Sequence, residues 1–313
     1  MAHARKFRFG VQVGKTETGV EFAELARRVE DLGYSTLFLP DHFGDQFAPL
    51  PAMMAAADAT TELRVGSLVH DNDYKHPVVL AKEIATVDVL SGGRAEFGIG
   101  AGWMNTDYIQ SGIPKERDGV RIARMAEALE IYKGLWSDGA YSFSGEHYTI
   151  TALEGLPKPV QRPWPPILIG GGGPKVLGVA GRHADIVGIN PSIPKGEISL
   201  DAGPEMLPNA VDKKLGWLRD GAGDRFDDIE LNELVFFANV TDDRMTALGN
   251  LAGLLGLTAD DIAESPYFAF VGTVDQICDN LRAARERWGF SYFVLQAPAL
   301  EAIAPVVAKL AGT

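Results

Sequence analysis

The sequence predicts an α/β fold, a (β/α)8 TIM barrel with a lid-like insertion after strand six, in a single domain over residues 1–313. Short apolar segments alternate with amphipathic helical segments along the chain, and eight strand segments can be counted. A length of 313 residues is ordinary for one α/β barrel. A doubly wound open sheet would alternate in the same way, so the count favours the barrel without excluding that alternative.

The first half of the chain carries clear helix boundaries between its strands. Thr18-Gly-Val-Glu21 predicts a capping box that opens the first helix, and Gly33 ends it. His76-Pro77 places proline in the first turn of another helix, which Ser91-Gly92-Gly93 ends. A long helix is predicted from about residue 116 to 137. The first four strands are predicted at residues 7–13, 36–40, 63–69 and 95–100.

The second half begins with a small hairpin, predicted at residues 141–150 and centred on Gly145. Thr273-Val-Asp-Gln276 predicts a second capping box, and a last helix covers about residues 299–311. The connection over residues 190–230 is long and rich in proline, glycine and charge, so we expect a lid over the C-terminal face of the barrel. Strands five to eight are predicted at residues 166–170, 184–190, 231–240 and 291–296.

The composition excludes several classes of function. A net charge of −13 argues against a nucleic-acid surface or an anionic membrane as partner. The single cysteine, Cys278, excludes an intramolecular disulfide and a cysteine-rich metal site, and no metal-binding or hydrolase motif occurs. No apolar run reaches the ~18 residues that a membrane helix needs, so we expect a cytoplasmic protein acting on a small-molecule substrate.

Candidate catalytic residues are sought at the carboxyl ends of the strands, where barrel active sites lie. Asp41-His42 follows strand two directly, so rigid backbone holds the imidazole at the barrel mouth. A histidine there can move a proton near neutral pH or donate a hydrogen bond to a developing anion. A loop histidine without function is the alternative interpretation, and His70 is a weaker candidate than His42.

A run of four glycines, Gly170 to Gly173, leads from strand five into a helix that begins with Pro174. Without side chains, the backbone N–H groups and the helix N-terminus can approach a phosphate closely. The run lacks the Gly-Lys-Ser/Thr sequence of a nucleotide-binding P-loop. A phosphate site is therefore one interpretation of this run, and a plain tight turn is the other.

Three longer stretches resemble the luciferase-like monooxygenase superfamily when taken with Asp41-His42. They are Arg64-Val-Gly-Ser-Leu-Val69, Leu90-Ser-Gly-Gly-Arg94 and Phe97-Gly-Ile-Gly-Ala-Gly-Trp103. Within the superfamily the chain is most similar to oxidoreductases that use the deazaflavin coenzyme F420. The resemblance implies hydride transfer between the deazaflavin and a small organic substrate. The alternatives are an FMN-dependent monooxygenase, supplied with reduced flavin by a partner reductase, and a cofactor carrier without chemistry.

The same resemblance implies residue roles. His42 would be the catalytic residue that handles the proton at the central ring of the cofactor. A non-prolyl cis peptide at Ser67-Leu68 would hold that ring. The other cofactor-binding positions that the resemblance suggests are Asp41, Ser67, Leu68, His70, Ala101, Gly102 and Thr106, with Gly172, Gly173, Lys175 and Val176 around the phosphate. It also implies a homodimer, and the missing metal-binding motifs predict that no metal is bound.

The chain departs from the sugar-phosphate relatives of this branch at two positions. Gln46 stands where they carry a tryptophan, and Trp103 stands where they carry a catalytic glutamate, so their substrate is not transferred. The F420 tail adds negative charge that a protein of net charge −13 would repel unless a local cation received it. Lys175 is the best candidate for that cation and Lys195 a weaker one. We therefore expect F420 to bind more tightly than FMN.

Overall fold

Eight parallel strands close into a barrel in the computed structural model, which describes residues 5–193, 195–197 and 199–313. The strands are β1 Arg8–Gln12, β2 Thr36–Leu39, β3 Arg64–Ser67, β4 Ala95–Gly100, β5 Ile167–Gly171, β6 Ile186–Ile189, β7 Glu230–Leu234 and β8 Phe290–Gln296. Each strand pairs with its neighbours in chain order, β1 pairs with β8, and β3 pairs with β4 to complete the ring. The predicted TIM barrel is confirmed.

Eight helices surround the barrel, one after each strand. They are α1 Gly19–Asp31, α2 Pro49–Ala59, α3 Pro77–Leu90, α4 Asp118–Trp136, α5 Pro174–His183, α6 Pro208–Ala222, α7 Val274–Trp288 and α8 Leu300–Leu310. The capping predictions locate two of their starts correctly. The Thr18 side chain accepts a hydrogen bond from the Glu21 amide, and Thr273 forms a complete capping box with Gln276.

The connection after β6 differs from the lid expected over residues 190–230. Its second part forms α6, which begins at Pro208 and buries an apolar stripe with Val211, Leu215 and Leu218. This helix occupies the ordinary barrel position beside α5, because a Cβ on Gly181 would stand 2.6 Å from the Ala222 nitrogen. The helix was not predicted, because charged residues and glycine lie between the apolar residues of its buried stripe.

Residues 190–207 are the part that remains a connection. The Asn105 amide donates to the Gly196 carbonyl at 3.0 Å, and the Asn105 side chain donates to the Lys195 carbonyl at 2.7 Å. Asn105 follows β4, so this part of the connection lies on the C-terminal face of the barrel, as the sequence analysis expected.

Strand β3 is interrupted at its carboxyl end. Ser67 remains in register with Leu39, and the Leu68 amide still donates to the Leu39 carbonyl at 2.9 Å. The next peptide, Leu68-Val69, is cis, after which His70–Asp71 pairs with β4. The expectation of a cis peptide at Ser67-Leu68 is therefore wrong by one residue, because the ladder with β2 extends through the Leu68 amide.

An ionic cluster fills the amino-terminal end of the barrel. Glu96 accepts from Arg8 at 2.5 Å and from Arg64 at 2.8 Å, while Arg8 also contacts Glu230 at 2.6 Å. Burial alone would raise the pKa of Glu96, but the adjacent Arg8 and Arg64 guanidinium groups bring that pKa below its ordinary value. The Tyr292 hydroxyl donates to Glu96 from above. This end of the barrel is closed.

An apolar layer lies above the ionic cluster, inside the barrel. Phe38, Leu168, Ile186, Tyr292 and Val294 form it, and Leu68 and Val69 pack on it from the mouth side. The cis peptide therefore belongs to the floor of the open end. Ligands have access only from the carboxyl side of the strands, where barrel active sites lie.

Two excursions leave the barrel. Tyr141–Ser144 and Thr149–Leu153 form the antiparallel hairpin that the sequence predicts. Between β7 and α7, a short parallel pair, Asn239–Val240 with Val271–Gly272, encloses the helices Arg244–Leu254 and Ala259–Ile262, which the sequence analysis did not predict. Within the described part of the chain, no helix has the length and apolar character needed to cross a membrane.

Candidate active site at the barrel mouth

His42 forms a close pair with an aspartate from another strand end. Its Nδ1 atom lies 2.6 Å from Oδ2 of Asp107, which belongs to the short helix Asn105–Ser111 after β4. The Phe43 amide donates to the other Asp107 oxygen at 3.2 Å, and the Tyr74 hydroxyl donates to Oδ2 at 3.0 Å. Because a carboxylate only accepts, Nδ1 carries the hydrogen and Nε2 remains for exchange with a ligand.

Aromatic rings enclose this pair. The Trp103 ring meets the His42 ring edge to face, with 5.5 Å between centroids. The Phe43 and Tyr74 rings lie 4.5 Å apart beside them. One quarter of the His42 side chain is exposed, against 5% for Asp107. The imidazole is therefore accessible, while the carboxylate that orients it is shielded from water.

Asp41 and His70 lie behind this pair. Asp41 Oδ2 accepts from the Asp71 amide at 3.1 Å and lies 3.5 Å from His70 Nδ1. His70 is buried and its ring packs near Phe97, on the side of the barrel wall that faces the helices. The structure thus places Asp41 at the mouth, whereas His70 supports it from the helix layer.

A chain of amides holds the floor of the mouth. Gln296 at the end of β8 donates to the Gln12 side chain at 3.0 Å, and Gln12 donates to the Leu68 carbonyl at 2.7 Å. The Leu68 carbonyl belongs to the cis peptide itself. The Ser67 side chain lies on the opposite face of the strand from a Cβ on Gly66, which would meet the Phe38 ring. Its hydroxyl is buried and has no hydrogen-bond partner among the described residues, so Ser67 presents its backbone to the mouth.

The Ala101-Gly102 loop after β4 rests on the buried side chains of Tyr108 and Arg121. Gly102 has φ +76°, and a Cβ there would stand 1.9 Å from the Tyr108 hydroxyl. Arg121 donates to the Ala101 carbonyl at 3.1 Å and to the Gly102 carbonyl at 2.6 Å. Both predicted cofactor positions in this loop are thus fixed by buried groups.

A buried acidic cluster lies under the same loop. The Tyr108 hydroxyl contacts Asp71 at 3.2 Å and Asp73 at 2.9 Å, and Arg124 binds Asp73 at 2.7 Å. Burial raises the pKa of Asp71 to about 7. Among the residues that the structure describes, no group of three or more His, Cys, Asp or Glu side chains could hold a metal ion.

The glycine run forms the other side of the mouth. Gly172 packs so tightly against the connection after β6 that a Cβ would stand 2.4 Å from the Asn190 carbonyl. Gly173 is the N-cap of α5, has no side-chain cap, and has open space beside it. The first amides of α5, at Lys175 and Val176, therefore lack helical partners and can bind an anion.

These features fit a flavin-type cofactor with a flat ring, a polar chain and a phosphate. The apolar floor at Leu68 and Val69 suits the ring, and the uncapped N-terminus of α5 suits the phosphate. Asn190, between the two, has a buried Oδ1 atom without a partner in the described structure. An unsatisfied buried oxygen at this place is accounted for by a donor on a bound ligand.

The family profile described as Luciferase-like monooxygenase matches residues 2–200, more than half of the chain. The chain belongs to this family. An F420-dependent glucose-6-phosphate dehydrogenase of Amycolatopsis mediterranei is 30% identical over 173 residues, which cover 53% of this chain and 51% of that protein. An FMNH2-dependent dimethylsulfone monooxygenase of Pseudomonas putida is 32% identical over 127 residues, which cover 41% of this chain and 35% of that protein.

The chain thus spans about half or less of the length of these two luciferase-like relatives. Among solved structures, the coenzyme F420-dependent tetrahydromethanopterin reductase of Methanopyrus kandleri is similar over the whole barrel. Its TM-score is 0.75 at 19% identity, covering 98% of this chain and 99% of that one. At this identity the likeness shows the luciferase-like barrel fold.

Sequence reasoning located His42, Asp41 and the glycine loops of this luciferase-like barrel but missed Asp107 and Tyr108. On the short helix both are buried, whereas Thr106, predicted to line the cofactor, is exposed. The available signal was the pair Asp107-Tyr108, a carboxylate and an aromatic side chain shortly after the glycine loop at a strand end. No element was predicted there, because seven residues are too few to show a helical period.

Proposed function

We propose that the protein is an F420-dependent oxidoreductase, which transfers a hydride between the deazaflavin and a small organic substrate. The observation that carries the proposal is the His42–Asp107 pair, with 2.6 Å between Nδ1 and Oδ2, beside an apolar floor at the barrel mouth. The Amycolatopsis mediterranei relative, named as F420-dependent, supports the choice of cofactor.

The bound deazaflavin supplies the carbon that carries the hydride, so the protein positions the ring and handles one proton. Leu68 and Val69 support the ring, and Gln12 fixes the Leu68 carbonyl. His42 exchanges the proton with the substrate oxygen through Nε2. Asp107 keeps the hydrogen on Nδ1 and stabilises the imidazolium when His42 is protonated.

The phosphate end falls on Gly172, Gly173 and the first amides of α5. Lys175 is the second residue of that helix, is exposed, and has no ion-pair partner in the described part of the chain. It is therefore free to receive the negative charge of the F420 tail. Lys195, by contrast, contacts Asp201 at 3.1 Å, which makes it the weaker candidate.

An FMN-dependent monooxygenase, served by a partner reductase, is the second candidate. Trp103, whose ring contacts His42, fits either candidate, because the resemblance associates a tryptophan here with the wider superfamily, which uses FMN or the deazaflavin. The relative from Pseudomonas putida is named as FMNH2-dependent. Both candidates use the same floor and phosphate end.

Titration of the apo protein with F420 and with FMN, followed by cofactor fluorescence, separates the two. We expect F420 to bind more tightly. Tighter binding of FMN, together with oxygen consumption when reduced FMN is supplied, would instead establish the monooxygenase.

A further inference from the structure

Asp71 lies beneath the glycine loop that the proposed function assigns to the cofactor. It ends the resumed part of β3, and 7% of its surface is exposed. A Cβ on Gly102 would stand 2.5 Å from Asp71 Oδ2, so the loop backbone rests on this carboxyl group. The Asp71 amide also donates to Asp41, which joins it to the Asp41-His42 turn.

The contacts around Tyr108 require a second hydrogen. The Tyr108 oxygen lies 2.9 Å from Asp73 Oδ2 and 3.2 Å from Asp71 Oδ2, yet a hydroxyl carries one hydrogen. Asp73 is bound twice by Arg124, at 2.7 and 3.1 Å, and is the natural acceptor for the hydroxyl. Arg121 also donates to the Tyr108 oxygen. When the Tyr108 hydrogen lies on Asp73, the nearer acceptor, the contact with Asp71 is attractive only if the Asp71 carboxyl donates its own hydrogen to the Tyr108 oxygen.

The charges that face Asp71 favour this protonated form. Burial, and next the Asp73 and Asp41 charges, raise the pKa of Asp71 to about 7, although the hydrogen bond from the Asp73 amide lowers it, as would one donated by Tyr108. Neither nearby arginine pairs with Asp71, because Arg124 binds Asp73 and Arg121 binds Asp118 and two backbone carbonyls. The titratable groups around it are Asp41, Asp73, Tyr74, Tyr108, Lys115, Arg121 and Arg124.

We propose that Asp71 is a neutral hydrogen-bond donor that positions the Ala101-Gly102 loop, so that loss of its proton loosens the cofactor site. This inference rests on the proposed function, which assigns the loop to the cofactor. Asp71 is a positioning residue, since it acts through Tyr108 and Gly102 and contacts no reacting atom. Once ionised, it faces the Asp41 and Asp73 carboxylates and can no longer donate a hydrogen bond to Tyr108.

Infrared difference spectra of the apo protein test the protonation state directly. Between about pH 5 and pH 9, two units to either side of the pKa, we expect a carboxylic acid C=O band that disappears as pH rises. The band of Asp71 should be absent in Asp71→Asn. A second band is expected from Glu233, whose buried carboxyl has a pKa of about 8, and it should remain in Asp71→Asn and disappear in Glu233→Gln. The control Asp45→Asn, whose aspartate is exposed, should leave both bands unchanged. Tyr108→Phe should shift the Asp71 band, because the acceptor is lost. If Asp71→Asn removes no carboxylic acid band from the wild-type spectrum, the proposal is overturned.

Cofactor binding tests the positioning. The affinity of the wild type for F420 or FMN should fall above neutral pH by up to about tenfold per pH unit, the limit for release of one proton. Asp71→Asn should remove this dependence, since its amide donates to Tyr108 at every pH. Identical pH profiles for the two proteins would refute the positioning role.

A third measurement separates this inference from the proposed function. Trp103 adjoins Gly102, so its emission, isolated by difference from Trp103→Phe, should change with pH in the apo wild type and not in Asp71→Asn. If neither F420 nor FMN binds but this change is present, the cofactor assignment is overturned while positioning of the loop by Asp71 is supported. If the emission does not respond to pH, the positioning role is overturned.

Discussion

Nδ1 of His42 and Oδ2 of Asp107 lie 2.6 Å apart, although 65 positions separate the two residues in the chain. The contact joins the turn after β2 to the short helix after β4. It assigns the two imidazole nitrogens different tasks, because Nδ1 is engaged by the carboxylate and Nε2 is not. The Tyr74 hydroxyl and the Phe43 amide hold the carboxylate in turn. Asp107 therefore orients His42 from a nearly water-free position.

His42→Ala should retain the fold and most of the cofactor affinity but lower kcat by about 10²–10⁴-fold, the usual contribution of a positioned acid or base. Asp107→Asn should lower kcat as well, because an amide can present a donor to Nδ1 and favour the wrong tautomer. His147→Ala serves as the histidine control. An NMR spectrum of the imidazole nitrogens reports the tautomer without any substrate. Unchanged tautomer and kcat in Asp107→Asn would contradict the assigned role.

Gly102→Ala and Gly112→Ala form a matched pair, with φ of +76° and +75°. Nothing lies within 4 Å of a Cβ on Gly112, so that change should cost only the left-handed backbone penalty of about 1 to 2 kcal/mol. A Cβ on Gly102 would collide with Tyr108 and Asp71. We expect the Gly102 variant to be less stable in denaturant titrations and to bind cofactor far more weakly. Equal stability and affinity in the two variants would contradict this account of the loop.

Lys175→Glu should weaken F420 binding more than FMN binding, because only F420 carries a charged tail beyond the phosphate. Lys309→Glu changes the net charge equally at the far helix α8, where the lysine contacts Asp275, and should leave both affinities unchanged. The affinity ratio of the two cofactors, measured by fluorescence at low and high salt, checks this. The effect should shrink with salt, since screening weakens exposed charges. Equal losses for both cofactors would place the tail elsewhere.

Glu233→Met should stabilise the protein, increasingly so as pH rises. Glu233 is fully buried, both carboxyl oxygens lack partners in the described structure, and burial raises its pKa to about 8. Between its ordinary pKa and about 8, the folded protein keeps a proton that the unfolded chain releases, so rising pH favours unfolding of the wild type.

The gain from Glu233→Met should grow by up to about tenfold in the unfolding equilibrium per pH unit across that window. Glu233→Gln should remove the same pH dependence but stabilise less, because its amide stays unpaired. Urea titrations from about pH 5 to pH 8 measure both variants. A gain that does not vary with pH would show that Glu233 is already ionised in the folded state.

The alternation of strands and helices was predictable because each segment carries its own period and its own caps, as at Thr273 and Gln276. Helix α6 was hidden because charged residues and glycine surround its stripe of Val211, Leu215 and Leu218. Composition there resembled a lid, while the contacts with α5 that stabilise the helix are tertiary.

The site residues that could be predicted are those that directly follow a strand, because barrel active sites lie at the carboxyl ends of the strands. His42 could be located because Asp41-His42 follows β2 directly. Asp107 could not, since its role depends on barrel closure, which brings two loops together. The predicted position of the cis peptide was wrong by one residue, because the length of the β2–β3 ladder is set by the pairing between the strands and not by the local sequence.

The ionic cluster of Arg8, Arg64, Glu96 and Glu230 blocks the amino-terminal end of the barrel, so that the barrel is open only at the carboxyl ends of its strands. Solvent displaced by a ligand must leave through the barrel mouth, by which the ligand also enters. If the proposed cofactor ring lies on the floor at Leu68, a substrate bound above it would block the exit of the ring. Under the proposed function, the cofactor would then have to bind before the substrate and leave after the product.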